Sequence, residues 1–255
     1  MTATAMQTKI EIPYPDTSKV SLVLRLGPCR MHFTPSDGPM WITGTYEDPT
    51  GALPIEVRPG TTTSITQGFD LPAWSAAELP RLELAIGRTH PFALEISAGA
   101  SETAFDLGGL PLERLAIKAG AGRFDIDFSK MNPIAMSFME LATGAGAFTA
   151  THLANAGFTT LQMSGGIAAC TLDFSGELRS DASARIDSGL GSIDIVVPPT
   201  TPAAVRMKAF AAAKRTTGFT ERGDNMYTLP ALEGKRPLLT IDVSMAFCSL
   251  AVTTS

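Results

Sequence analysis

The chain has 255 residues, of which 44% are apolar and 18% charged, and its formal net charge is -5. This composition supplies a sizeable core and excludes disorder, which needs low hydrophobicity and high charge. It holds no basic surplus for nucleic acid or anionic lipid, and no apolar stretch reaches the ~20 residues of a spanning helix. Nucleic-acid binding and direct membrane insertion are therefore not expected.

The opening residues, MTATAMQTKIEIPYPD, have neither a basic leader nor an apolar core, so a secretory signal is not expected. Residues 1–17 are read as a flexible N-terminus and residues 18–80 as an N-terminal strand region with a linker. Within it, Trp41 follows SDGPM and is predicted to start a strand packed on the first rung. Trp74 lies in LPAWSAAELP, a proline-bounded segment, and is the candidate interaction residue because an exposed tryptophan is a common interface anchor.

Residues 81–255 read as a repeat array with closing strands, one continuous unit. Five segments align on glycine: LEISAGASETAFDL (94–107), LAIKAGAGRFDIDF (115–128), MELATGAGAFTATHL (139–153), LQMSGGIAACTLDF (161–174) and ARIDSGLGSIDIVV (184–197). The anchor glycines are Gly99, Gly120, Gly144, Gly165 and Gly189, spaced 21, 24, 21 and 24 residues apart. A fixed period of this size marks a stacked-repeat fold.

Each segment alternates apolar and polar residues on both sides of its glycine, which is the pattern of a strand with one buried face. Phe124, Ile126 and Phe128 share a face against Asp125 and Asp127. Leu172 and Phe174 follow Cys170 against Thr171 and Asp173, and Ile193 and Ile195 precede Val197 against Asp194. These apolar sets are predicted to stack into core columns. KAFAAAK (208–214) is read as a degenerate repeat rather than a helix, and MNPIAMSFMEL (131–141) as a strand. The N-terminal region and the final strand, Thr240–Val252, are the expected caps. The fold class is all-β: a single elongated β-solenoid-like stack with a period of about 21–24 residues.

Chemistry is sparse. His32, His90 and His152 are scattered without ligand spacing, so no metal is expected. Cys29, Cys170 and Cys248 have no CxxC arrangement and read as reduced core thiols of a cytoplasmic protein. The GAG triplets at 120–122 and 144–146 precede strands, not the helix a dinucleotide fingerprint requires. Arg222-Gly223-Asp224 reads as a turn. No catalytic residue and no cofactor are expected. The outward Asp125, Asp127, Asp173 and Asp194 form a candidate acidic strip, able in principle to hold Ca²⁺ or a glycan.

Several stretches resemble the toast-rack family of β-repeat domains, related to the C-terminal domain of LiaF-like, cell-wall-active-antibiotic response proteins. They are residues 24–48, DLGGLPLERLAIKAGAGRFDIDFS (106–129), 165–198, GFTERGDNMYT (218–228) and TIDVSMAFCSLAV (240–252), with Ala246 and Phe247 where glycine is usual. The resemblance implies a non-catalytic domain that regulates through protein contacts, in LiaF-like proteins as a negative regulator of a sensor kinase. This chain departs from them in showing no transmembrane helix. The expected function is a protein-interaction or regulatory module. The alternatives are a self-associating structural protein and a carbohydrate- or Ca²⁺-binding β-helix.

Overall fold

The computed structural model describes residues 5–68, 78–209, 213–229 and 234–254. Alternating apolar and polar side chains become strands along nearly all of them. In chain order these are β1 (Met6–Ile12), β2 (Val20–Leu26), β3 (Cys29–Ser36), β4 (Ile42–Asp48), β5 (Ile55–Arg58), β6 (Thr62–Gln67), β7 (Arg81–Gly87), β8 (Phe92–Asp106) and β9 (Leu112–Asp127). They continue as β10 (Met136–Thr151), β11 (Phe158–Asp173), β12 (Ala182–Val197), β13 (Ala203–Ala209), β14 (Ala213–Thr217), β15 (Thr220–Gly223), β16 (Met226–Thr228) and β17 (Leu239–Thr254). A short 3-10 turn, Leu153–Ala156, separates β10 from β11.

Strands β8, β9, β10, β11, β12 and β17 are the rungs. Each runs 15 or 16 residues, parallel to and in register with the next. Each is bent near its middle, so that its first half belongs to one face of the stack and its second half to another. At the bend the inward alternation slips by one residue. In β9 the buried positions are Leu115, Ile117 and Ala119 before it and Phe124 and Ile126 after it. Without that slip the second half would turn its apolar row to solvent.

The two faces enclose one core. Leu94, Leu115, Met139, Leu161, Ala184 and Ile241 stack in register on the first face, and Phe124, Phe148, Cys170, Ile193 and Leu250 on the second. Ile126, Leu172 and Ile195 form the next row, and Phe128 and Phe174 are buried just beyond their strands. Other buried residues in the returns, Leu107, Leu110 and Leu153, close the remaining side. There buried Asn132 donates to the Leu112 and Ala156 carbonyls and accepts from Ile134 N, tying successive returns together.

Both ends depart from the regular stack. At the first, β2 and β3 make one bent rung against β8, pairing with its first and second halves. Outside them β6 and β5 extend the first face, and β7, β4 and β1 extend the second. At the other end β17 lies between β12 and the split rung β13 and β14, and the β15–β16 hairpin covers β13.

Three expectations are corrected here. The stretch read as a flexible N-terminus contains β1, whose Ile10 and Ile12 are buried; their alternation with Lys9 and Glu11 is a strand signal that the neighbouring prolines mask. The final strand is not a cap. It is a full-length rung with apolar rows in both halves, so it is stable only with neighbours on each side, and the shorter β13–β16 segment sits outside it. The anchor of the fourth segment is Gly166, because Gly165 pairs with Thr143 and Ser188. KAFAAAK is strand on both flanks, with residues 210–212 outside the described residues.

Candidate functional site

The bend is built from two glycine columns. In the first, Gly27, Gly99, Gly120, Gly144, Gly166 and Gly189 lie on one another. A Cβ at Gly144 would stand 2.5 Å from the Gly120 carbonyl oxygen, and one at Gly166 would stand 2.6 Å from that of Gly144. Two residues on, Gly122, Gly146 and Gly191 take φ of 131°, 126° and 127°. A side chain at Gly146 would place its Cβ 2.0 Å from the Gly122 oxygen. At Gly122, Gly146 and Gly191 the positive φ favours glycine, while Ser101, Ala168 and Cys248 hold the same register position on the other rungs. The GAG triplets are thus corners, and the residue between the glycines is the one pushed outward.

That apex column reads Ala100, Ala121, Ala145, Ile167 and Leu190, all exposed, with Phe247 at the next register position. Ile167 is 62% and Leu190 44% exposed, and the two are register partners on adjacent rungs. Large aliphatic side chains standing together on a rigid corner are the most conspicuous apolar exposure among the described residues. Their flanks are uncharged close in, with Ser164, Ser192 and Ala169 on nearby positions of the same rungs. Sequence reading missed this ridge because alternation skips a beat at the bend. Its available signal was a large apolar residue lodged in a glycine corner.

The outward side of the second face is polar. Arg30 pairs with Glu102 at 3.0 Å and Arg123 with Asp125 at 2.8 Å, and the latter contact raises the Arg123 pKa. With His32, Arg81 and Glu83 these groups line a shallow cleft floored by Ala104. The four aspartates of the candidate strip fall into two rows. Asp125 and Asp194 are separated by Thr149 and Thr171, and Asp127 and Asp173 by Thr151. Asp127 accepts from Thr151 Oγ1 at 2.7 Å and contacts His152 Nδ1 at 2.6 Å, while Asp173 accepts from Ser175 N and Oγ. These carboxylates anchor the returns at strand ends, and no group of three potential metal ligands converges among the described residues.

The remaining sequence candidates disperse. Cys29 and Cys170 are both buried, and burial pushes the Cys29 thiol up to about 12. Arg222-Gly223-Asp224 enters the β15–β16 turn, where Gly223, Asp224 and Asn225 all have positive φ. Trp41 is buried edge-on against Phe92, immediately before β4. Trp74 lies outside the described residues. No helix among them is long and apolar enough to cross a membrane.

A family model for the N-terminal domain of toast_rack, DUF2154, matches residues 1–138, more than half of the chain and as far as the start of β10. The chain belongs to the toast-rack family. No curated protein matches it. Among solved structures it is similar to a candidate cell adhesion protein from Clostridium sporogenes ATCC 15579, at 13% identity and a TM-score of 0.54, covering 98% of this chain and all of that one. A candidate adhesin from Bacteroides fragilis NCTC 9343 matches at 10% identity and a TM-score of 0.43, over 97% of this chain and 96% of that one. The toast-rack assignment confirms the resemblance read from the sequence, and the first of these structures shares the stacked all-β fold.

Proposed function

We propose that this toast-rack protein is a non-catalytic module that works by presenting its corner ridge to a protein partner. The observation that carries this reading is the side-by-side exposure of Ile167 and Leu190 on a corner where successive rungs pack backbone against backbone. Their serine and alanine flanks fit a partner surface that is apolar and uncharged, since a charged one would lose solvation there without gaining a counter-charge. The adhesion description of the Clostridium sporogenes structure is likewise a contact function. The likeness to LiaF-like domains favours a signalling regulator as the partner's class, and the buried, unbridged Cys29 favours a reducing, cytoplasmic setting.

The test is site-specific photo-crosslinking from Ala145, beside the ridge, followed by purification of the captured protein and titration against the wild-type chain. The double variant Ile167→Ser with Leu190→Ser is expected to melt like wild type and to bind that protein at least about tenfold more weakly, as loss of two buried aliphatic anchors implies. Equal binding by the variant would remove the ridge from consideration.

A further inference from the structure

The four outer edges of the stack differ in how they would meet a second copy of the chain. On the second face β1 is the outermost strand at the N-terminal end. It pairs with β4 on one side, and no described residue pairs with the other. It is also the longest of the four edge strands, at seven residues. Its solvent-facing row is Gln7, Lys9 and Glu11, and its inward row ends in buried Ile10 and Ile12.

Charge on an edge ordinarily discourages pairing, because a second copy brings like charge against like. The arrangement on β1 does the reverse. Place a copy antiparallel across a two-fold axis at Ile10, so that residues whose numbers sum to 20 face each other. Lys9 then stands opposite Glu11 of the second copy, and Glu11 opposite its Lys9. Ile10 meets Ile10, and Thr8 meets Ile12. Within one chain Lys9 Nζ already lies 2.6 Å from Glu11 Oε1, so both groups sit on the same side of the strand, as the paired arrangement requires.

The other N-terminal edge repeats the device. In β5, Glu56 and Arg58 flank Val57, and a two-fold axis at Val57 sets each against the opposite charge. The C-terminal edges do not. In β14 an axis at Arg215 would oppose two arginines, and one at Lys214 two lysines; in β15 an axis at Glu221 would oppose two glutamates. Self-complementarity is therefore confined to one end.

We infer that two copies of this chain associate through their N-terminal edges, with β1 pairing antiparallel to β1 about Ile10. Because both copies use the same edge, the contact closes on itself and gives a dimer instead of a filament. The contact leaves the corner ridge free and does not depend on the partner proposed above.

The experiment is light scattering after gel filtration over a hundredfold range of protein concentration. It uses the wild type, Lys9→Glu, Glu11→Lys and the exchanged double variant Lys9→Glu with Glu11→Lys. The wild type is expected at twice the 26.8 kDa chain mass at the upper concentrations. Each single reversal turns two attractions into two repulsions and should weaken the dimer about tenfold or more, while the exchange restores it. Raised salt should weaken the wild-type dimer too. Both side chains are exposed, so the variants keep the fold, which circular dichroism checks. Concentration-dependent hydrogen-exchange protection of β1 amides reads the same contact without mutation. A wild type that stays monomeric, a dimer indifferent to the single reversals, or β1 amides that exchange equally at all concentrations would each overturn the proposal.

Discussion

The interior rungs and the N-terminal end of the stack are held by different means. From β8 to β12 every rung repeats its neighbour: apolar residues recur at the same register, and glycines let carbonyls approach at the bend. The N-terminal end cannot rely on repetition, because its strands change direction and length. It uses single-purpose polar contacts. Buried Tyr46 donates to the Leu53 carbonyl and accepts from Gln67 Nε2 at 2.9 Å, and Gln67 Oε1 accepts from Gly27 N at 2.6 Å, reaching the first corner. Buried Asp48 accepts from Thr50 N, Thr50 Oγ1 and Leu53 N. Repetition spreads stability over many equivalent positions, whereas the end concentrates it in a few irreplaceable ones.

The sharpest way to break the interior is at the corner. Gly146→Val should cost about 5 kcal/mol or more, since it combines a forbidden dihedral with a backbone clash, and urea unfolding monitored by circular dichroism would read it. Phe124→Ala, deleting one member of a stacked column, should cost about 3–5 kcal/mol in the same assay. A shift below about 1 kcal/mol would show that the column tolerates gaps and that repetition buffers it. At the N-terminal end Tyr46→Phe should cost about 1–3 kcal/mol, because it leaves the Leu53 carbonyl and Gln67 without their partner. Thermal melting with Gln67→Ala and the double variant would show non-additivity if the network acts as a unit.

Alkali should weaken that end in a graded way. The Cys29 thiol is raised by burial from 9.0 to about 12, so the unfolded chain loses its proton first. Full stability holds below pH about 9 and falls as pH rises toward 12, by at most about 1.4 kcal/mol per unit. Cys29→Ala should flatten that slope, and the part that persists belongs to Tyr46, whose phenol is shifted in the same direction by burial. The smallest effect is expected on the outer face. Asp125→Asn with Asp194→Asn should move stability by no more than about 0.5 kcal/mol, since exposed pairs contribute little. Calorimetric titration with Ca²⁺ should show the same absence of heat for both proteins. A wild-type signal lost in the variant would revive a cation site there.

Much of the interior was legible in the sequence because period-two alternation and glycine recurrence are local signals. Phe124, Ile126, Leu172 and Ile195 announce their face by their neighbours alone. What was illegible is whatever depends on the bend. Gly165 and Gly166 are adjacent, and only the register of Thr143 and Ser188 decides which is the corner. The acidic strip was read as one row, yet Asp125 and Asp127 lie two residues apart along a strand and so occupy separate rows, with threonines between carboxylates on successive rungs. The ends were the least legible, because Asp48, Tyr46 and Gln67 are polar residues whose partners lie up to 40 positions away.

The seating of β17 bears on the order of assembly. The ribosome delivers β13 to β16 before β17, yet in the finished stack β17 stands between them and β12. Until β17 emerges, the split rung and its hairpin have no seat, and the outer edge of β12 is open along its length. The growing protein can close its first rungs early, each on the one before. Its far end must wait for β17 to enter the gap between β12 and the split rung, which makes that insertion a late step of folding and leaves the β12 edge exposed to wrong pairing in the interval.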